Sequence, residues 1–149
     1  MEKSLGFLKE ALHLQEVDAK MYSPLVLAYV GDAVYEIMIR TKVINDGNQQ
    51  VKKLHKQSSE LVKAGAQANL IMILQEELTE EELAVYKRGR NAKSATMAKN
   101  ASMKDYRMAT GFEALVGYLY LSEQFERLAF LIGRGLDKMG AFAQGEHIK

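Results

Sequence analysis

Pro24-Leu-Val-Leu-Ala-Tyr-Val-Gly-Asp-Ala-Val-Tyr-Glu-Ile-Met-Ile39 decides how this chain folds. Ser23 before it suits an N-cap and Pro24 suits a first helical turn, so a helix opens here. The spacing carries it to about Val43. Leu25, Val26, Leu27, Tyr29, Val30, Val34, Tyr35, Ile37, Met38 and Ile39 cover most of its circumference. A helix apolar nearly all round lies at the centre of a fold or is covered by a second subunit. Asp32 is its outlier. A carboxylate left uncompensated in such surroundings costs several kcal/mol, so a basic partner, a hydrogen-bond shell or a metal ion should answer it. Gly31 beside it costs about 1 kcal/mol of helix propensity, and its missing side chain lets another backbone or a ligand come close. Glu36 stands four residues before Arg40, the spacing of an intrahelical ion pair, and receives no catalytic role.

Outward from this stretch the chain reads as helices throughout, with one proline and no sustained strand-like alternation. Residues 4–13 form a short amphipathic segment. Asn45-Asp46-Gly47 marks a turn, followed by a polar-faced helix from about Asn48 to Gly65 and another over Ala66 to Glu76. Thr79 with Glu82 matches a capping box that opens a helix to about Arg88. Gly89 to Met103 reads as an exposed loop or broken helix. Helices follow over Tyr106 to Leu121, with Phe112, Leu115, Val116 and Leu119 at core spacing, and over Glu123 to Met139. The expectation is one all-α domain over 1–149, with an N-terminal helical segment to about residue 22 and a frayed tail from Gly140.

The 149 residues suffice for a single hydrophobic core. There is no cysteine, which excludes disulfides and thiolate metal sites and fits a cytoplasmic protein. The charged N-terminus does not read as a secretory signal, and Asp32 and Glu36 interrupt the longest apolar run, so no membrane span is expected. Net charge is only +1, but it is unevenly placed. Lys87, Arg88, Arg90, Lys93, Lys99, Lys104 and Arg107 share one segment with a single acid, Asp105. Glu76, Glu77, Glu80, Glu81 and Glu82 form an acidic block just before it. A concentrated basic segment steers toward phosphate even in a neutral protein; the plainer reading is a solvated surface loop.

Glu113 is a second acid in an apolar helix, in line with Gly117. Thr110-Gly-Phe-Glu113 also fits a capping box, which would make it structural. Carboxylates on two helices, Asp32 and Glu113, suit a hard divalent cation such as magnesium; spacing alone does not bring them together. His13, His55 and His147 share no ligand spacing, and no phosphate-loop, nucleophilic-serine or zinc motif is present.

Leu27-Ala-Tyr-Val-Gly-Asp-Ala-Val-Tyr-Glu36 resembles the signature of the ribonuclease III family, and Phe112-Glu-Ala-Leu-Val-Gly-Tyr-Leu-Tyr-Leu121 resembles its second acidic motif. Lys87-Arg-Gly-Arg-Asn-Ala-Lys-Ser94 is similar to the Mini-III branch, a catalytic domain without the double-stranded-RNA-binding domain. The resemblance spans about Ser23 to Met139. It implies an all-α homodimer with a catalytic valley and magnesium-dependent hydrolysis of double-stranded RNA to 5′-phosphate and 3′-hydroxyl ends. It also implies a role in maturing large-subunit ribosomal RNA precursors, leaving open whether a ribosomal protein assists. Residue by residue, Asp32 and Glu113 match the metal-holding acids. The family's other two carboxylates fall at Ala28 and Thr110, so one firmly held ion is expected. Arg88, Arg90, Asn91, Lys93, Lys99 and Lys104 are expected to bind RNA. The competing readings are a non-catalytic duplex-RNA-binding or ribosome-associated protein of the same fold, and a plain helical interaction module.

Overall fold

The computed structural model describes residues 5–93 and 102–142. Seven α-helices run through them: α1 Gly6–Ala11, α2 Pro24–Asp46, α3 Val51–Val62, α4 Ala64–Leu74, α5 Glu80–Asn91, α6 Met103–Leu121 and α7 Phe125–Lys138. Short 3-10 turns lie at Ala19–Met21 and Gln75–Glu77. The described residues contain no strand. None of their helices is long and apolar enough to cross a membrane.

The axis of the fold is α6, not α2. Met108, Phe112, Ala114, Leu115, Val116, Tyr118 and Leu119 are all buried, and α2, α4, α5 and α7 pack around them. By contrast, α2 buries one face, with Leu27, Ala28, Gly31, Tyr35, Ile39 and Val43. Its other face leaves Val26, Tyr29 and Ile37 in water. Of the two readings of this helix, the place at the centre of the fold is corrected: among the described residues only one of its faces is covered.

Glycines choose which half. A Cβ on Gly31 would overlap the Glu113 carbonyl, and one on Gly117 would overlap the Leu27 carbonyl. The two helices thus cross backbone to backbone, a separation open only to residues without side chains. Tyr35 packs edge-on against Phe112 beside the crossing, with ring centroids 5.0 Å apart. Both start signals act as read. Ser23 Oγ accepts from the Val26 N–H, and Thr79 and Glu82 exchange side-chain and backbone hydrogen bonds in a capping box.

The loop expected over 89–103 is corrected at both ends. α5 continues through Gly89, Arg90 and Asn91, because Gly89 is buried against Gly111 and Ala114 of α6 at a spacing too tight for a Cβ. α6 starts early at Met103, capped by Ser102, whose Oγ accepts from the Asp105 N–H at 3.0 Å. Lys99 and the rest of residues 94–101 lie outside the described residues.

The acidic block is absorbed by structure. Arg127 of α7 grips Glu82 through Nε and a terminal nitrogen at 2.8 and 2.9 Å. Glu77 takes Arg134 and Lys138, and Glu81 pairs with Lys20.

Candidate active site

The crossing of α2 and α6 brings Asp32 and Glu113 together. Asp32 sits one residue past Gly31, and Glu113 contributes the very carbonyl against which Gly31 rests. Their carboxyls lie near enough for the Asp32 charge to act on Glu113. Asp32 is exposed, contrary to the expectation of a buried acid, because it points off the uncovered face of α2. Glu113 is the one drawn out of water. Burial pushes its carboxyl up from 4.5, and the Asp32 charge pushes further, to about 8. A hydrogen bond from Gln67 partly opposes both. The capping alternative for Glu113 is overturned: Thr110 lies mid-helix, and its hydroxyl donates to the Tyr106 carbonyl at 2.9 Å. The salt-bridge alternative for Asp32 also fails, since no Lys or Arg among the described residues pairs with it. Glu36 does pair with Arg40, at 3.0 Å, as its spacing predicts.

Two neighbouring acids, the charge of one raising the proton affinity of the other, with no cation of the described residues between them, make a suitable seat for a hard divalent ion. Gln67 adds to the fit. Its amide nitrogen lies 3.2 Å from Glu113 Oε2, and its buried carbonyl oxygen has no hydrogen-bond partner. Ala28 offers no oxygen, and the Thr110 hydroxyl is engaged. No group of three or more acidic, histidine or cysteine side chains gathers among the described residues. Asp32 and Glu113 are therefore the side chains that could hold a magnesium ion, with water completing its shell.

Gln67 was missed by sequence reading. The available signal was an amide, Gln67, beside Asn69 in the otherwise apolar run Ala66-Gln-Ala-Asn-Leu-Ile71, in a helix with no obvious polar face.

The basic residues assemble elsewhere. Arg90, Asn91, Lys104 and Arg107 line a groove of about 540 Å³ between α5, α6 and the end of α4, floored by Met72, Tyr86, Met103 and Met108. Arg90 lies 5.6 Å from the centre of the Tyr86 ring and donates to Asn91 Oδ1. Arg88 and Lys93 are exposed nearby in sequence but do not line the groove. Lys87, Arg88, Arg90, Lys93, Lys104 and Arg107 form no ion pair with a described residue. Lys104 precedes Glu113 by nine residues on α6, roughly 14 Å along the helix axis.

A third feature touches Asp32. An open groove on α2, lined by Tyr29, Val30, Asp32, Ala33, Ile37 and Tyr120 among others, places that carboxylate at the border of the uncovered apolar face.

Comparison with known proteins accords with this geometry. The ribonuclease III domain matches residues 25–124, which contain both acids and the described basic groove. A Mini-ribonuclease 3 of Clostridium tetani is 59% identical over 112 residues, 74% of this chain and 74% of that one. The Mini-ribonuclease 3 of Enterococcus faecalis is 52% identical over 125 residues, 83% of this chain and 95% of its own. The crystal structure of protein FN1578 from Fusobacterium nucleatum superposes with a TM-score of 0.74 at 28% identity, covering 83% of this chain and 99% of that one. With the domain matched over most of its length and relatives this similar, the chain belongs to the ribonuclease III domain family.

Proposed function

We propose that this protein is an endoribonuclease that hydrolyses double-stranded RNA with magnesium, acts as a homodimer in the cytoplasm, and matures a large-subunit ribosomal RNA precursor. The observation that carries the reading is the Asp32–Glu113 pair, brought together where Gly31 rests on the Glu113 carbonyl, with no Lys or Arg of the described residues paired to either acid. The relatives' name, Mini-ribonuclease 3, supports ribonuclease chemistry on this framework.

Asp32, exposed, and Glu113, half-buried, would hold the ion. Magnesium would supply a Lewis acid for the phosphodiester and its attacking water. Hydrolysis adds water at phosphorus and releases the 3′ oxygen, leaving 5′-phosphate and 3′-hydroxyl ends. Arg90, Asn91 and Lys104 in the groove take backbone phosphates, with Arg88, Lys93 and Lys99 of the same segment. Duplex RNA is recognised chiefly by shape and sugar hydroxyls, which suits a basic groove. Binding then weakens with salt. Val26, Tyr29 and Ile37 on the uncovered face of α2 support a second copy there, and two copies would place two acid pairs on one duplex, one for each strand.

The test is incubation of a long duplex RNA with the protein, with and without magnesium, beside the Asp32→Asn variant. The expected result is magnesium-dependent cleavage that disappears in the variant while duplex binding persists. Binding without cleavage in any divalent ion would instead make this a non-catalytic duplex-RNA-binding protein of the same fold, with Ala28 and Thr110 as the reason.

A further inference from the structure

Gln67 is 2% exposed, on α4 between Ala66 and Ala68. Burying an amide without partners costs about 1–3 kcal/mol, so its hydrogen bonds define its place. Nε2 donates to the Val62 carbonyl at 2.8 Å and to Glu113 Oε2 at 3.2 Å. That uses both N–H groups of the amide. Val62 is the last residue of α3, so its carbonyl is among those a helix leaves without an internal partner. The Val62 carbonyl can only accept, which fixes the orientation: turning the amide would set its oxygen against that carbonyl. Oε1 faces no hydrogen-bond partner. A leucine fills comparable space and leaves no orphan oxygen, so packing does not account for an amide here.

We propose that Gln67 is the positioning residue of Glu113, clamping its carboxylate to the C-terminal end of α3 in the orientation that meets Asp32. The inference rests on the reading of Asp32 and Glu113 as the cation-holding pair. Gln67 acts through Glu113. Its loss loosens the carboxylate rather than removing it, and RNA contact in the basic groove is untouched.

The test compares wild type, Gln67→Leu, Glu113→Gln and the double variant. Manganese, which favours the same oxygen donors as magnesium, is titrated without RNA and followed by its electron paramagnetic resonance signal. Cleavage kinetics are measured in parallel. Gln67→Leu is expected to weaken manganese binding and lower kcat by about tenfold each, the usual scale for a residue that orients a ligand, with KM for duplex RNA unchanged. In the Glu113→Gln background the same change should alter manganese affinity by less than about twofold, since the coupling has lost its other member. Gln67→Met serves as the second apolar replacement if the leucine variant unfolds. Wild-type manganese affinity and kcat in both apolar variants would overturn the proposal. So would an equal loss of affinity with and without Glu113. A wild type that neither binds manganese nor cleaves RNA would overturn the underlying reading itself.

Discussion

Glu82 is buried and Glu113 half-buried, and their carboxyls respond in opposite directions. Glu82, 4% exposed at the start of α5, meets Arg127 and the Thr79 N–H. Burial alone would raise its proton affinity; Arg127 and Thr79 more than compensate and hold it below the ordinary range. Glu113, at the α2–α6 crossing, is pushed up to about 8 by burial first and by the Asp32 carboxyl second. One corner of the molecule has closed its electrostatics internally, and the other is open to a cation from outside. The same contrast separates Glu77 and Glu82 of the acidic block, paired to α7, from the basic segment, which forms no ion pair among the described residues.

The largest effect that would break this comparison comes from making Glu113 neutral. Glu113→Gln should cut cleavage on the order of a thousandfold, the several kcal/mol that a well-placed ion supplies. It should also raise the unfolding temperature of the cation-free protein near pH 8, which calorimetry reads directly. Lower stability there would mean that Glu113 is not held under repulsion.

Arg127→Met attacks the other corner. It strands a buried carboxylate and should cost about 3 kcal/mol, or roughly 10 °C in unfolding midpoint for a chain this size. Cleavage per folded molecule should be unchanged. A comparable loss of kcat would place Arg127 in the active machinery.

A smaller effect sharpens the contrast through pH. Glu113 keeps its proton to about 8 when folded, against 4.5 ordinarily. Between these values the folded state holds a proton that the unfolded state has released. The Glu113 contribution is therefore full below about pH 4.5 and is lost as pH rises to about 8. Glu82, with its affinity lowered, contributes above 4.5 and loses that contribution only as acid is added. Thermal melts without divalent ion, wild type against Glu113→Gln, should differ in slope across pH 5 to 8 by several degrees in total. Magnesium should reverse the difference at pH 8. Parallel melts would remove the assignment.

The smallest effect belongs to the groove. Lys104→Ala should reduce the salt dependence of duplex binding by about one unit of slope and weaken affinity a few-fold, as filter binding over a salt series would show. An unchanged slope would remove Lys104 from the phosphate contacts.

Much of this architecture was legible where a local signal forces a local structure. Ser23-Pro24 and Thr79 with Glu82 start helices because their side chains answer orphan backbone donors next to them. The Glu36–Arg40 pair follows from helical spacing alone. Both acids were legible through their motifs. What was not legible depends on two helices meeting. The apolar residues of α2 do not say which half is covered; Gly31 and Gly117 decide it, and the decision leaves Asp32 in water and Glu113 out of it. Gly89 looked like a helix breaker among polar neighbours, yet α5 needs it to approach Gly111. Gln67 went unread because both of its partners, Val62 and Glu113, come from other helices.

A joint made of two glycines has no rotamers to sample. Where side chains separate two helices, each substitution in the contact changes their spacing, and thermal rotamer exchange blurs it. At Gly31 and Gly117 the spacing is set by main chain against main chain. The carboxylates of Asp32 and Glu113 thus ride on a fixed gauge, and the surrounding core can drift through many apolar exchanges without retuning the distance between them.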